Sequence, residues 1–248
     1  MLISHVHQFI YLKTRKTAGT SVEMAFQPWA AGNSSAEVVE KTHAKVSVNG
    51  IIGSRMIRAA DYRPADKIWY NHMPAEEIER RMAPRLWERY LKFAVVRNPF
   101  DKVVSNFHWY HSGRFLAHGR ANQSPPEPVD AAETRALFRD YVLNQEWRTD
   151  EEIVTLRGAR CVDVLLRYEC LRNDIDQLAT RLEIDPAKVL LPVTKDGKAL
   201  RKAQPLDAYY DAETIDKVRL KLGWMFDWGG YPDTPAAWDD RMAGRTPS

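Results

Sequence analysis

The sequence predicts a single α/β domain with a mostly parallel central sheet flanked by helices. Three observations carry that expectation. Leu91–Val96 is apolar at nearly every position, as a strand covered on both faces is. Short apolar runs alternate along the chain with stretches of helical period. A length of 248 residues with 44% hydrophobic side chains suits one large core. The domain is expected over residues 1–231, followed by a C-terminal tail, 232–248, that holds three prolines.

Taken in order, residues 9–12 (FIYL) read as a buried strand and 13–18 as a polar loop. A helix starts near 21–26, with Thr20 or Ser21 as its cap, and Pro28 and residues 32–35 end it. Residues 37–48 have no clear period. Asn49-Gly50 is a turn signal, 51–60 is compatible with a short helix, and 67–70 is a short strand candidate. Pro74 opens a helix over 75–82 that Pro84 interrupts. After the 91–96 strand, Asn98-Pro99 turns the chain into a helix over 100–111 with Val103, Val104 and Phe107 as its apolar stripe. Residues 113–130, with three prolines, predict a long surface loop. A helical region at 131–147, a strand at 161–166, an amphipathic helix at 169–182, a basic loop at 188–202 and a last helix at 211–226 complete the reading.

Bulk properties exclude several function classes. The formal net charge is +3, from 36 basic and 33 acidic residues, which is not the charge of a nucleic-acid binder. It gives no support for a highly sulfated polyanion as substrate either, unless charge gathers in a local patch. Two cysteines, Cys161 and Cys170, are too few for a disulfide framework and are expected as reduced core thiols. No Cys/His spacing matches a zinc site, and no metal is expected. The first residues do not form a signal peptide, and no apolar run is long enough to span a membrane, so the chain reads as soluble and cytoplasmic.

Two segments carry chemistry. KTAGTS, residues 16–21, places a lysine, a glycine and two hydroxyls where a strand gives way to a helix. Such a unit aims backbone N–H groups at an anion. Gly19 lets the backbone approach, Lys16 supplies a cation, and Thr20 and Ser21 supply hydroxyl donors. Lys16 precedes the only glycine of the segment, so this is not a Walker loop. In the second segment, VVRNPFDKVVS at 95–105, Arg97 leaves the carboxyl end of a strand and Ser105 follows eight residues on. Arginine favours bidentate phosphate contacts. A bland reading of Arg97 is a salt bridge to Asp101, and of Ser105 a bond to a preceding helix carbonyl. Together the segments point to a nucleotide with phosphates at separated positions.

On these residues the chain resembles sulfotransferases that use 3′-phosphoadenosine 5′-phosphosulfate (PAPS), in the carbohydrate-sulfotransferase branch with soluble bacterial relatives. The resemblance implies a P-loop-like sulfotransferase fold. It assigns the 5′-phosphosulfate to Lys16, Thr17, Ala18, Gly19, Thr20 and Ser21, and the 3′-phosphate to Arg97 and Ser105. WYNHMPAEE, residues 69–77, resembles the segment that presents the general base, which makes His72 that residue. RYECL at 167–171 and DWGGY at 227–231 match further family segments, and Lys198 and Arg201 fall where a late basic loop closes over the nucleotide. Relatives often have proline where this chain has Arg15, which leaves open whether Lys13 or Arg15 adds a contact.

The implied reaction moves a sulfuryl group to an acceptor hydroxyl, on a saccharide or glycolipid, with PAP as product and no metal. Histidine has a free pKa near about 6.5 and can serve as base at working pH. Lys16 would stabilise the charge on the leaving oxygen. His43 is the rival base or an acceptor-site group, and Trp69, Tyr70, Trp109 and Tyr110 are candidates for stacking on a sugar. His108 and His111 share a helix, and His5 and His7 read as edge groups. The expected partner is a small-molecule or saccharide acceptor, with no nucleic acid and no stable membrane insertion. The alternatives are a P-loop nucleotide or adenylylsulfate kinase and a non-catalytic nucleotide-binding protein.

Overall fold

The structure is a computed structural model that describes residues 1–32, 38–111, 130–192 and 204–243. Lys198, Arg201 and nearly all of the 113–130 loop lie outside the described residues. The first elements are β1 (Leu2–Ser4), β2 (Phe9–Tyr11), α1 (Gly19–Ala31), β3 (Lys45–Val46), β4 (Gly50–Ile52), α2 (Pro64–Ile68), α3 (Ala75–Arg81), α4 (Pro84–Arg89) and β5 (Leu91–Val96). There follow α5 (Pro99–His111), α6 (Ala131–Asn144), α7 (Glu151–Val154), β6 (Thr155–Leu156), β7 (Ala159–Arg160), β8 (Val164–Arg167), α8 (Leu171–Arg181), α9 (Ala212–Gly229) and α10 (Pro235–Ala243). They fall into two compact units, Met1–Val96 with Asp150–Lys195, and Arg97–Thr149 with Asp196–Ser248.

The first unit holds a six-stranded sheet in the order β3-β4-β1-β2-β5-β8. Only β2–β5 and β5–β8 pair in parallel; β1–β2, β1–β4 and β3–β4 are antiparallel. The expectation of a mostly parallel sheet is therefore corrected to a mixed one. The reason lies in the first twelve residues. They do not lead passively into β2: β1 turns back on it, Leu2 opposite Tyr11 and Ser4 opposite Phe9. Residues 51–60, compatible with a helix by sequence, instead begin with β4, because Ile51 and Ile52 pair with β1 and are buried.

Phe9, Tyr11, Phe93 and Val95 point to one face of the sheet, where Val22, Ala25 and Phe26 of α1 and Ile175, Leu178 and Ala179 of α8 pack on them. Phe26 lies 5.3 Å from Phe93 and 5.7 Å from Phe9, ring to ring. Each such buried ring contributes about 1.5–3 kcal/mol. Ile10, Ala94 and Val96, which alternate onto the other face, are also fully buried. That two-sided burial is what the unbroken apolar run of β5 anticipates.

Two local expectations change. Residues 67–70 are not a strand: Pro64 at the first turn starts α2, and Asp66 bonds back to the Arg63 N–H. Tyr70 keeps only a single bridge to Ser54. Pro28 does not end α1 but sits inside it; Gly32, at φ 70°, closes it.

The second unit is helical among its described residues. Phe100, Phe138, Tyr210 and Phe226 pack edge to face, with centroids 4.8–5.1 Å apart, and the Tyr210 hydroxyl donates to the Phe100 carbonyl at 2.8 Å. Asp211 caps α9 through the Thr214 N–H at 2.9 Å. Beyond α9, in the stretch read as a tail, the chain forms α10, whose Trp238 is buried.

Candidate functional site

The residue-16 loop is shaped by its backbone. Lys16 and Ala18 both have left-handed φ, 62° and 58°, unusual for residues with a side chain. Alternation of this kind curls successive N–H groups into a concave anion receptor. Helix α1 starts at Gly19 with Ala18 as its cap residue, and no side chain closes the helix start. Thr20 and Ser21 therefore do not cap, as their residue types suggested; they lie one turn too late, inside the helix. An uncapped start keeps its partial positive charge available to a ligand. Gly19 sits in tight space: a Cβ there would stand 3.0 Å from Lys13 Cε, Lys13 Cγ and the Thr14 carbonyl, so these neighbours would have to give way by a few tenths of an ångström.

Buried bonds hold this loop in place. Thr14 donates to the Val95 carbonyl on β5 at 2.5 Å and shares a hydroxyl contact of 2.9 Å with Thr17. The Thr17 side chain is thus turned inward, and the residue is fully buried. Lys13, 2% exposed, bonds Glu23 of α1 at 2.5 Å and Thr20 at 3.4 Å. Arg15 pairs with Asp150, which also accepts from the Arg15 N–H at 2.7 Å. Both side chains, Lys13 and Arg15, serve ion pairs that fix the loop.

Glu23 is the hub. It is fully buried, with Lys13, the Met1 amine at 3.5 Å and Arg55 at 3.0 Å around it. Burial alone would push its carboxyl up, but Lys13, the Met1 amine and Arg55 outweigh that and hold it at about 2. Sequence reading passed over Glu23, Arg55 and Asp150. Their partners lie 10 to 135 residues away, so no local pattern marks them.

His72 sits at φ 57°, another left-handed residue. Its Nδ1 is 2.9 Å from the Lys13 carbonyl. A carbonyl only accepts, so Nδ1 carries the proton and Nε2 keeps its lone pair. Burial first, then the charges of Lys13 and Arg15, hold the imidazole well below its usual range. The ring is therefore neutral near neutral pH, with Nε2 as an acceptor. The rival, His43, points Nδ1 at Asp66, 2.7 Å away; that carboxylate is buried and also accepts from the Ala44 and Arg63 N–H groups. Next to His72, Trp69 is core, and burial with help from Glu77 pushes the Tyr70 hydroxyl up to about 12.

In the second unit, Arg97 directly follows β5 in the chain and is 5% exposed. Its Nε donates to Asp101 at 2.6 Å, the bridge that its sequence position suggested. Asn98 caps α5 by accepting from the Asp101 N–H at 3.0 Å. Ser105 is half-buried in α5. His108 bonds the Tyr209 hydroxyl at 2.9 Å, and His111 packs on Phe107 at 4.5 Å. Both cysteines are free thiols and only half-buried, not core. Among the described residues there is no cluster of three or more His, Cys, Asp or Glu, and no helix is long and apolar enough to cross a membrane.

The strand-to-helix loop of this α/β unit thus combines two left-handed residues, a helix start without a side-chain cap and a neutral histidine bonded to its backbone. The profile of the Sulfotransferase family matches residues 1–172, and the chain belongs to that family. The match takes in residues 16–21, His72, Arg97 and Ser105; Lys198, Arg201 and the 227–231 segment fall beyond it. No curated protein and no solved structure matches the chain.

Proposed function

We propose that the protein is a PAPS-dependent sulfotransferase that acts on a hydroxyl, in a saccharide or glycolipid acceptor. The observation behind this reading is the bond from His72 to the Lys13 carbonyl, which ties a neutral imidazole to the anion-receptive loop. The loop suits a phosphosulfate end: two left-handed residues, an uncapped helix start and a tightly packed glycine. The donor, when bound, supplies the sulfuryl group.

The roles then follow from the residues. The N–H groups at the start of α1, with Lys16, hold the donor's anionic end and offset the charge that develops on the leaving oxygen. His72 Nε2 takes the acceptor hydroxyl proton, while the Lys13 carbonyl keeps Nδ1 protonated. Arg97 and Ser105 bind the 3′-phosphate, with Asp101 orienting the guanidinium. Lys198 and Arg201 add charge to the same nucleotide.

His72→Ala is expected to abolish turnover and leave binding of PAP within a few-fold of wild type. Calorimetry with PAP and a PAP-release assay read the two separately. Turnover retained in His72→Ala removes His72 from the base role, and absence of PAP binding to the wild-type protein removes the donor assignment.

A further inference from the structure

The chain carries a formal charge of +3, yet residues 41–67 alone hold six basic and two acidic residues, a net of +4. Arg55 is spent internally on Glu23. Lys41, Lys45, Arg58, Arg63 and Lys67 are all exposed. Of these, Arg58 is paired with Asp61 at 2.8 Å; the others have no carboxylate partner among the described residues.

Residues 41–68 hold Val46, Val48, Met56, Tyr62 and Ile68, five of the nine large hydrophobic side chains exposed among the described residues. Val46 is 58% and Val48 91% exposed. Exposed charges and exposed apolar side chains thus lie in the same stretch of chain. The segment is also held as one piece: Lys45 and Val46 pair with β4, Thr42 bridges to Arg55, and Asp66 ties His43, Ala44 and Arg63 together.

We propose that residues 41–68 form a peripheral docking surface for a bilayer rich in anionic lipid. Lys41, Lys45, Arg63 and Lys67 match the headgroup charge, and Val46, Val48 and Ile68 enter the apolar boundary beneath it. Charge alone would equally suit a soluble polyanion. The aliphatic side chains decide for lipid, because a polyanion offers them nothing to enter. With no described helix able to cross a membrane, the attachment is at the surface. This inference does not depend on which reaction the protein performs.

The test is co-sedimentation of the full chain with vesicles of phosphatidylcholine, with or without phosphatidylglycerol. Binding is expected with the phosphatidylglycerol vesicles, at least about tenfold stronger than with phosphatidylcholine alone, and falling steeply with salt. The combined variant K41Q/K45Q/R63Q/K67Q should lose it. V46S/V48S should weaken it several-fold while keeping the salt dependence. All six sites are exposed, and circular dichroism verifies that the variants fold. Failure of the wild-type protein to bind anionic vesicles at low salt overturns the proposal, as does unchanged binding by the charge variant. Retention on a sulfated polysaccharide column by a protein that ignores vesicles also overturns it, in favour of a polyanion site.

Discussion

The loop after β2 and the segment after β5 solve the same problem in opposite ways. Both leave a sheet strand and enter a helix. After β2 the chain spends seven residues, two of them left-handed, and opens α1 without a side-chain cap. After β5 it turns at once, and Asn98 caps α5 while Arg97 pairs with Asp101. The first segment therefore leaves its helix start without a side-chain cap and uses Lys13 and Arg15 as anchors. The second closes its helix start and presents side chains.

Four measurements break or sharpen this contrast. The largest effect is expected for Glu23→Gln, which leaves Lys13 and Arg55 buried around a neutral amide. Loss of one partner of a buried ion pair costs about 3–5 kcal/mol, read as a lower denaturant midpoint. If it costs less than Asn98→Ala does, the loop is not anchored as described.

Acid titration comes next. The Glu23 carboxyl is lowered from 4.5 to about 2, so its stabilisation is complete above pH 4.5 and is lost as pH falls towards 2. A difference of about 2.5 units corresponds to roughly 3 kcal/mol. His72 adds in the same direction at milder pH: its folded value lies below 6.5, so the unfolded chain binds its proton first and stability falls as pH drops below 6.5. Denaturant midpoints across pH should show both windows, and Glu23→Gln should erase the lower one.

A smaller effect is expected for Lys13→Met, which keeps the stem and removes a charge that lowers the His72 value. The acid limb of the activity profile should move to higher pH, and NMR titration of the His72 ring should move with it. An unmoved ring titration leaves Lys13 as a scaffold only. The smallest is Asn98→Ala, at about 1 kcal/mol, the usual cost of an N-cap.

Much of the site was legible from residue types. KTAGTS marked the anion loop, RNP marked the Arg97 turn, and β5 stood out because a doubly covered strand is apolar throughout. The antiparallel half of the sheet was not, because β1, β3 and β4 are two or three residues long and too short to show a period. The α1 cap was misread for a related reason: hydroxyl residues are good caps, but Ala18 takes the cap position because the loop turns left-handed there.

By itself, the sequence determined the chemistry of the parts: the lysine, glycine and hydroxyls of the loop, the histidine, and the arginine with its neighbouring acid. Those signals are local, and residue type with spacing expresses them. The tertiary structure alone decided which of them are anchors. The sequence leaves the roles of Lys13 and Arg15 open, and Glu23 and Asp150 bind them from 10 and 135 residues away. The tautomer of His72 was likewise set from a distance, by a backbone carbonyl 59 residues back in the chain. Ion pairs and carbonyl contacts of that range exist only after the chain has folded, because it is burial that makes an unpaired charge or donor too costly to leave alone.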